Sequence, residues 1–151
     1  MLQFYNSVHE SEGGSCDGHA LHSESMNMEK RLRRKGKVAR FSFNELCGEA
    51  VGASDYVHIA KTFDCVFVEG IPKMNLHNRN ELRRFITLID VLYEESSLLV
   101  ALAAASPLTL LEISELERKE STHDEIFAFD RTASRLMEMQ SEAYLREVLG
   151  F

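Results

Sequence analysis

The chain has 151 residues, about one domain on the usual prior of roughly 100–200 residues each. A hydrophobic share of 44% and a charged share of 27% are ordinary for a globular protein and exclude disorder throughout. Seventeen Lys and Arg against twenty-four Asp and Glu give a net charge of −7, which argues against a generic nucleic-acid binder; no apolar run reaches the ~18 residues of a spanning helix.

Residues 1–37 read as a polar, poorly ordered lead-in, with Ser, Glu, Gly and His dominant from Ser7 to Ser25. Cys16, His19 and His22, with His9 nearby, invite a zinc reading, but no second pair of ligands stands at a recognised spacing. Residues 30–40 hold seven basic residues and no acid, a run that suits phosphates or an acidic membrane surface as well as a solvated edge. Residues 41–151 hold ten basic and nineteen acidic residues, a net of −9. Cys16, Cys47 and Cys65 are odd in number and never spaced as C-x-x-C, so no disulfide framework is expected and a reducing compartment fits. The first residues show neither a secretory signal nor an Arg-rich presequence.

Order sets in at Val38. Phe41 and Phe43 alternate with Arg40, Ser42 and Asn44 as in a short strand, and Gly48 and Gly52 interrupt any helix that follows. Ser54 is the expected N-cap of a helix carrying Tyr56, Ile59 and Ala60. Residues 65–68 form a short apolar run, a buried strand stopped by Glu69-Gly70-Ile71-Pro72, with Cys65 a small buried hydrophobe. Asn78 and Glu81 have capping-box spacing. After them Leu82, Phe85, Ile86, Ile89, Leu92 and Tyr93 recur at three- and four-residue steps, predicting an amphipathic helix over about 79–94.

Residues 98–103 make a second apolar run, closed by Ser106-Pro107. Two buried runs joined by one helix form a β–α–β unit, which demands parallel strands and a crossover. A helix is expected from Leu108 to about Leu116, then a charged turn from Glu117 to Glu125. Ile126, Phe127 and Phe129 read as an extended lead into a last helix, about Arg131 to Leu149, with Leu136, Met139, Ala143 and Val148 on one face. Met137 and Met139 read as helix packing. The fold class is α/β with a parallel core and flanking helices, and residues 38–151 are its ordered part.

None of the eight glycines fits G-x-x-x-x-G-K-[ST], in which backbone amides wrap phosphates and a Lys balances their charge. G-x-S-x-G, H-E-x-x-H and G-x-G-x-x-G are absent too, so no cofactor-binding or metal residues are assigned. What remains is Arg131 and Arg135, four apart on one helix face, able to present forked donors to a phosphate or to pair with Asp130, Glu138 or Glu142. Glu69, at a strand end, is a base, a metal ligand or a turn cap; His58 and His77 have no visible partner. Arg83 and Arg84 form either a contact surface or a solvated helix face.

Three stretches, GASDYVHIAKTFDCVFVEGIP, LHNRNELRRFITLIDVLYE and DEIFAFDRTASRLMEMQSEAYL, resemble the carboxy-terminal half of one AAA+ family, the ATPase-family-gene-one family. The resemblance covers about residues 38–148, with residues 1–37 outside it. It implies part of a P-loop-type, AAA+-like parallel sheet, and ATP hydrolysis with ATP and Mg in the full-length protein. The family handles protein clients in mitochondrial quality control and in bacterial cell division. It also implies a homo-oligomer, client proteins as partners, peripheral inner-membrane association and no specific nucleic acid. By the same likeness the location is mitochondrial, with the cytoplasm open because no presequence is visible. Arg131 and Arg135 resemble the arginines AAA+ proteins use as in-trans fingers or sensors for γ-phosphate. Without Walker A or Walker B, the chain alone is expected to be inactive, a carboxy-terminal portion of an ATPase; the other reading is a stand-alone adaptor that docks on a full-length ATPase.

Overall fold

A computed structural model describes residues 36–119 and 124–150 together with the backbone of Leu2–Gln3. The Cys16/His19/His22 spacing and the basic run up to Lys35 lie outside the described residues. The strands are β1 (Leu2–Gln3), β2 (Val38–Ser42), β3 (Cys65–Ile71), β4 (Met74–Asn75), β5 (Leu98–Ala103) and β6 (Leu111–Glu112). The helices are α1 (Ala53–Thr62), α2 (Arg79–Glu94), α3 (Glu115–Lys119), α4 (Asp124–Glu138) and α5 (Glu142–Leu149).

The main sheet has the order β1-β5-β3-β2. β2 lies parallel to β3 and β3 parallel to β5, with Val38 opposite Cys65 and Cys65 opposite Leu98; β1 is antiparallel to β5. The β3–α2–β5 unit is therefore the parallel one expected from two apolar runs and an intervening helix. Along these strands alternate residues face opposite ways, and Val66, Val68 and Ala101 join α1, α2 and α4 in one buried cluster. Leu82, Leu88 and Leu92 of α2 are fully buried in that cluster, as is Tyr56 of α1, whose hydroxyl donates to the Leu46 carbonyl at 2.6 Å. Cys47 and Cys65 are both buried free thiols, and loss of solvation pushes them up to about 12 and about 11. Among the described residues no helix is long and apolar enough to cross a membrane.

Several local expectations are corrected. α1 starts one residue before Ser54: Gly52 is its N-cap, and the Asp55 carboxylate accepts from the Gly52 amide at 2.9 Å. β3 runs through Glu69-Gly70 to Ile71 instead of stopping there. Val68 pairs with Ala101 and Ile71 with Ala103, so β3 spends one extra residue, a bulge that Gly70 allows at φ +70°. Asn78 caps α2 by position only; the side chain that accepts a hydrogen bond here is Asn75, from the His77 amide at 3.0 Å. The helix expected over 108–116 is instead a 3-10 turn at Pro107–Thr109, strand β6 paired with β4, and the short α3. The last helix is two: Ile126, Phe127 and Phe129 lie inside α4, not in an extended lead, and the chain turns before Ser141 caps α5. Met139 is buried as expected, while Met137 is exposed.

α2 ends in a Schellman motif. The Ser97 amide donates to the Leu92 carbonyl at 2.9 Å and the Ser96 amide to the Tyr93 carbonyl at 3.1 Å, which puts Ser96 at φ 52°. A Cβ is unfavourable in that left-handed conformation. Ser96→Gly is expected to stabilise the chain by about 1 kcal/mol in chemical denaturation, and destabilisation would contradict this reading of the turn.

Candidate functional site

Each long helix spends its apolar stripe on the sheet and carries its polar groups along the flank. Phe85 and Ile89 of α2 and Ile126, Phe129, Ala133 and Leu136 of α4 are buried. The flanks then meet in three polar contacts. At one end Arg83 donates from Nε (3.0 Å) and Nη2 (2.5 Å) to the Glu125 carboxylate, which is buried. In the middle Arg135 pairs with Asp90, and Arg131 Nη2 lies 4.0 Å from the other Asp90 oxygen. At the far end the Tyr93 hydroxyl donates to Glu138 at 2.9 Å. All three contacts advance in the same direction along both helices, so α2 and α4 run alongside each other in the same sense.

Asp90 thus receives two guanidiniums from one face of α4. Arg135, whose side chain is 21% exposed, also stands over the Tyr93 ring, 5.1 Å from its centroid. Tyr93 stacks on Tyr144 of α5 with centroids 6.0 Å apart, and the Tyr144 hydroxyl donates to the Ser97 carbonyl at 3.1 Å. The hydrogen bond to Glu138, with burial behind it, pushes the Tyr93 phenol above its ordinary value. Arg131 differs from its neighbour. Its side chain is 59% exposed, and among the described residues its guanidinium has only the 4.0 Å approach to Asp90. Phe127, one turn earlier on α4, is 67% exposed.

The structure brings the two sequence-predicted arginines together, on a partner the sequence did not suggest. They sit in the middle and the last turn of α4, not at its start, and face Asp90 across the seam. Glu69 pairs with Arg40 at the edge strand, at 2.5 Å, and Lys73 with Glu112 at 2.9 Å. Arg84 donates to the Cys47 carbonyl at 3.0 Å, so Arg83 and Arg84 are both engaged within the chain, not a bare solvated face. The His58 Nε2 is buried with no partner among the described residues. None of these groups touches the arginine pair. The residues missed from the sequence are Asp90 and Tyr93; an acid set between the apolar Ile89 and Val91 was the available signal.

The model of the AFG1-like ATPase family matches residues 7–148, reaching upstream of residue 38, where the sequence likeness was expected to begin. Lactation elevated protein 1 homolog B of Danio rerio is 36% identical over 135 residues, covering 74% of this chain and 27% of that protein. Cell division protein ZapE of Escherichia coli K12 is 37% identical over 105 residues, covering 70% and 26%. An uncharacterized Schizosaccharomyces pombe protein is 30% identical over 132 residues, covering 75% and 29%. The chain spans about a quarter of the length of these curated relatives. No solved structure matches it.

Glu125 supplies a pH test of the seam. The backbone amide at its own helix start, and then Arg83, hold its carboxyl below the ordinary value of 4.5. The folded chain therefore binds fewer protons at this site than the unfolded one. The stability it contributes is present above the ordinary carboxylate value and is lost as pH falls through the folded value. Glu125→Gln is expected to lower the melting temperature at about pH 7, and the gap to the native chain should close towards about pH 3. An equal gap at both pH values would show that the charge contributes nothing.

Proposed function

The chain belongs to the AFG1-like ATPase family, and from that premise we propose that it is the carboxy-terminal α/β portion of an AAA+ ATPase, supplying arginines to a nucleotide site built elsewhere. Among the described residues no three His, Cys, Asp or Glu side chains gather as ligands for a metal ion. No G-x-x-x-x-G-K-[ST] occurs in the 151 residues either, so no step of ATP hydrolysis is assigned to this chain. ATP and Mg belong to the full-length family member.

The observation that carries the reading is the convergence of Arg131 and Arg135 on one carboxylate oxyanion. Two guanidiniums gathered beside one carboxylate bring together the positive charge that a γ-phosphate needs, and charge supplied there is where phosphoryl transfer gains most. The pair would act as an in-trans finger or as a sensor, and the exposed flank with Phe127 and Arg131 suits a contact with a neighbouring subunit. Family likeness extends the proposal to a homo-oligomer that handles protein clients beside the mitochondrial inner membrane, with the cytoplasm as the alternative location.

A second reading, a stand-alone adaptor docking on a complete ATPase, is favoured by one observation. The buried cluster runs continuously from Phe43 to Tyr144 within this chain, which suits a unit that folds by itself. The native product distinguishes the two. Immunoblotting with an antibody to residues 129–148, with peptide mapping, is expected to give a band far above 17.2 kDa that contains a P-loop peptide. A single product of 17.2 kDa starting at Met1 would overturn the first reading in favour of the adaptor.

A further inference from the structure

We infer that the two arginines are not equivalent: Arg131 meets the phosphate, Arg135 anchors the site, and Asp90 is a positioning carboxylate that holds Arg135 and leaves Arg131 free to engage an oxyanion. This rests on the reading that the pair faces a phosphate; it adds which residue does so and what holds its neighbour in place.

The difference is in the surroundings. Arg135 is mostly buried, paired with Asp90 and set over the Tyr93 ring, whose hydroxyl is itself tied to Glu138. Moving it would break a partly buried ion pair and a cation–π contact together. Arg131 gives up almost nothing by moving. Its approach to Asp90 is at the outer limit for an ion pair, its side chain is 59% exposed, and exposed pairs at such distances are worth little. Its planar fork keeps its donors available for bidentate recognition of an oxyanion. A phosphate carries more charge and more acceptor oxygens than a carboxylate, so it would draw Arg131 off Asp90 and leave Arg135 in place. Asp90 therefore has two effects. It fixes Arg135 through their ion pair, and its charge repels an anion that approaches Arg131.

The test titrates the 151-residue chain with inorganic pyrophosphate, following the arginine Nε–H signals by NMR and the affinity by calorimetry, with melting temperatures in parallel. Arg131→Ala is expected to weaken binding on the order of tenfold or more with little change in melting temperature. Asp90→Asn is expected to tighten binding by less than Arg131→Ala weakens it, because the negative charge that repels an incoming anion is gone. Arg135→Lys is expected to weaken binding less than Arg131→Ala does while lowering the melting temperature more. If Arg135→Lys, still folded, weakens binding more than Arg131→Ala, the division of roles is overturned and the pair stands as a phosphate site. If neither the native chain nor Asp90→Asn binds pyrophosphate, the pair is not a phosphate site, and this inference falls with that reading.

Discussion

The flank contact between α2 and α4 is the constraint on which the arrangement of the candidate site depends. Both helices bury one stripe against the parallel sheet, and burial of that kind is non-directional: it brings α4 against α2 without fixing where along α2 it stops. The three polar contacts, Arg83–Glu125, Arg135–Asp90 and Tyr93–Glu138, supply direction and register. A shift of α4 by one turn would part all three and leave the buried Glu125 carboxylate without its guanidinium partner. The position of Arg131 in space is thus set by a neighbour four residues away that is itself pinned from two sides.

Tyr93 carries that constraint onward to the end of the chain. Its ring takes the Arg135 guanidinium and stacks on Tyr144, and its hydroxyl is used by Glu138. Tyr144 is the buried residue of α5, and the last helix is fastened through this aromatic stack, the hydroxyl bond to Ser97 and the packing of Val148 against the core. The strained Ser96 turn places Ser97 beneath it. One phenol side chain thereby joins α2, α4 and α5 beside the arginine pair. Local unfolding of α5 would reach the site through Tyr93 before it reached the sheet.

Much of the fold was legible because its signals are local. The 3- and 4-residue recurrence from Leu82 to Tyr93 gave the bounds of α2, and the apolar runs gave β3 and β5 and their parallel relation. Where the fold departs from these signals, a competing local one prevails. Ser141, whose side chain accepts from the Tyr144 amide at 3.2 Å, breaks what read as one long helix. Ser114 and Glu117 exchange hydrogen bonds as a capping box and start α3 where a helix from Leu108 was expected to be ending. The arginines could be found because their i, i+4 spacing puts them on one face. Asp90 could not be assigned to them, since the contact spans forty-five residues and depends on how two helices dock. Periodicity indicates which face is buried, not which neighbour covers it.

The most direct test of this account is a double-mutant cycle on Asp90 and Arg135, using Asp90→Ala, Arg135→Met and the pair together, measured by chemical denaturation of the 151-residue chain. If the seam fixes α4 on α2 through this contact, the two substitutions will be coupled by about 1 kcal/mol or more. Additive effects, with coupling near zero, would mean that apolar packing alone places α4 and that Asp90 holds neither arginine.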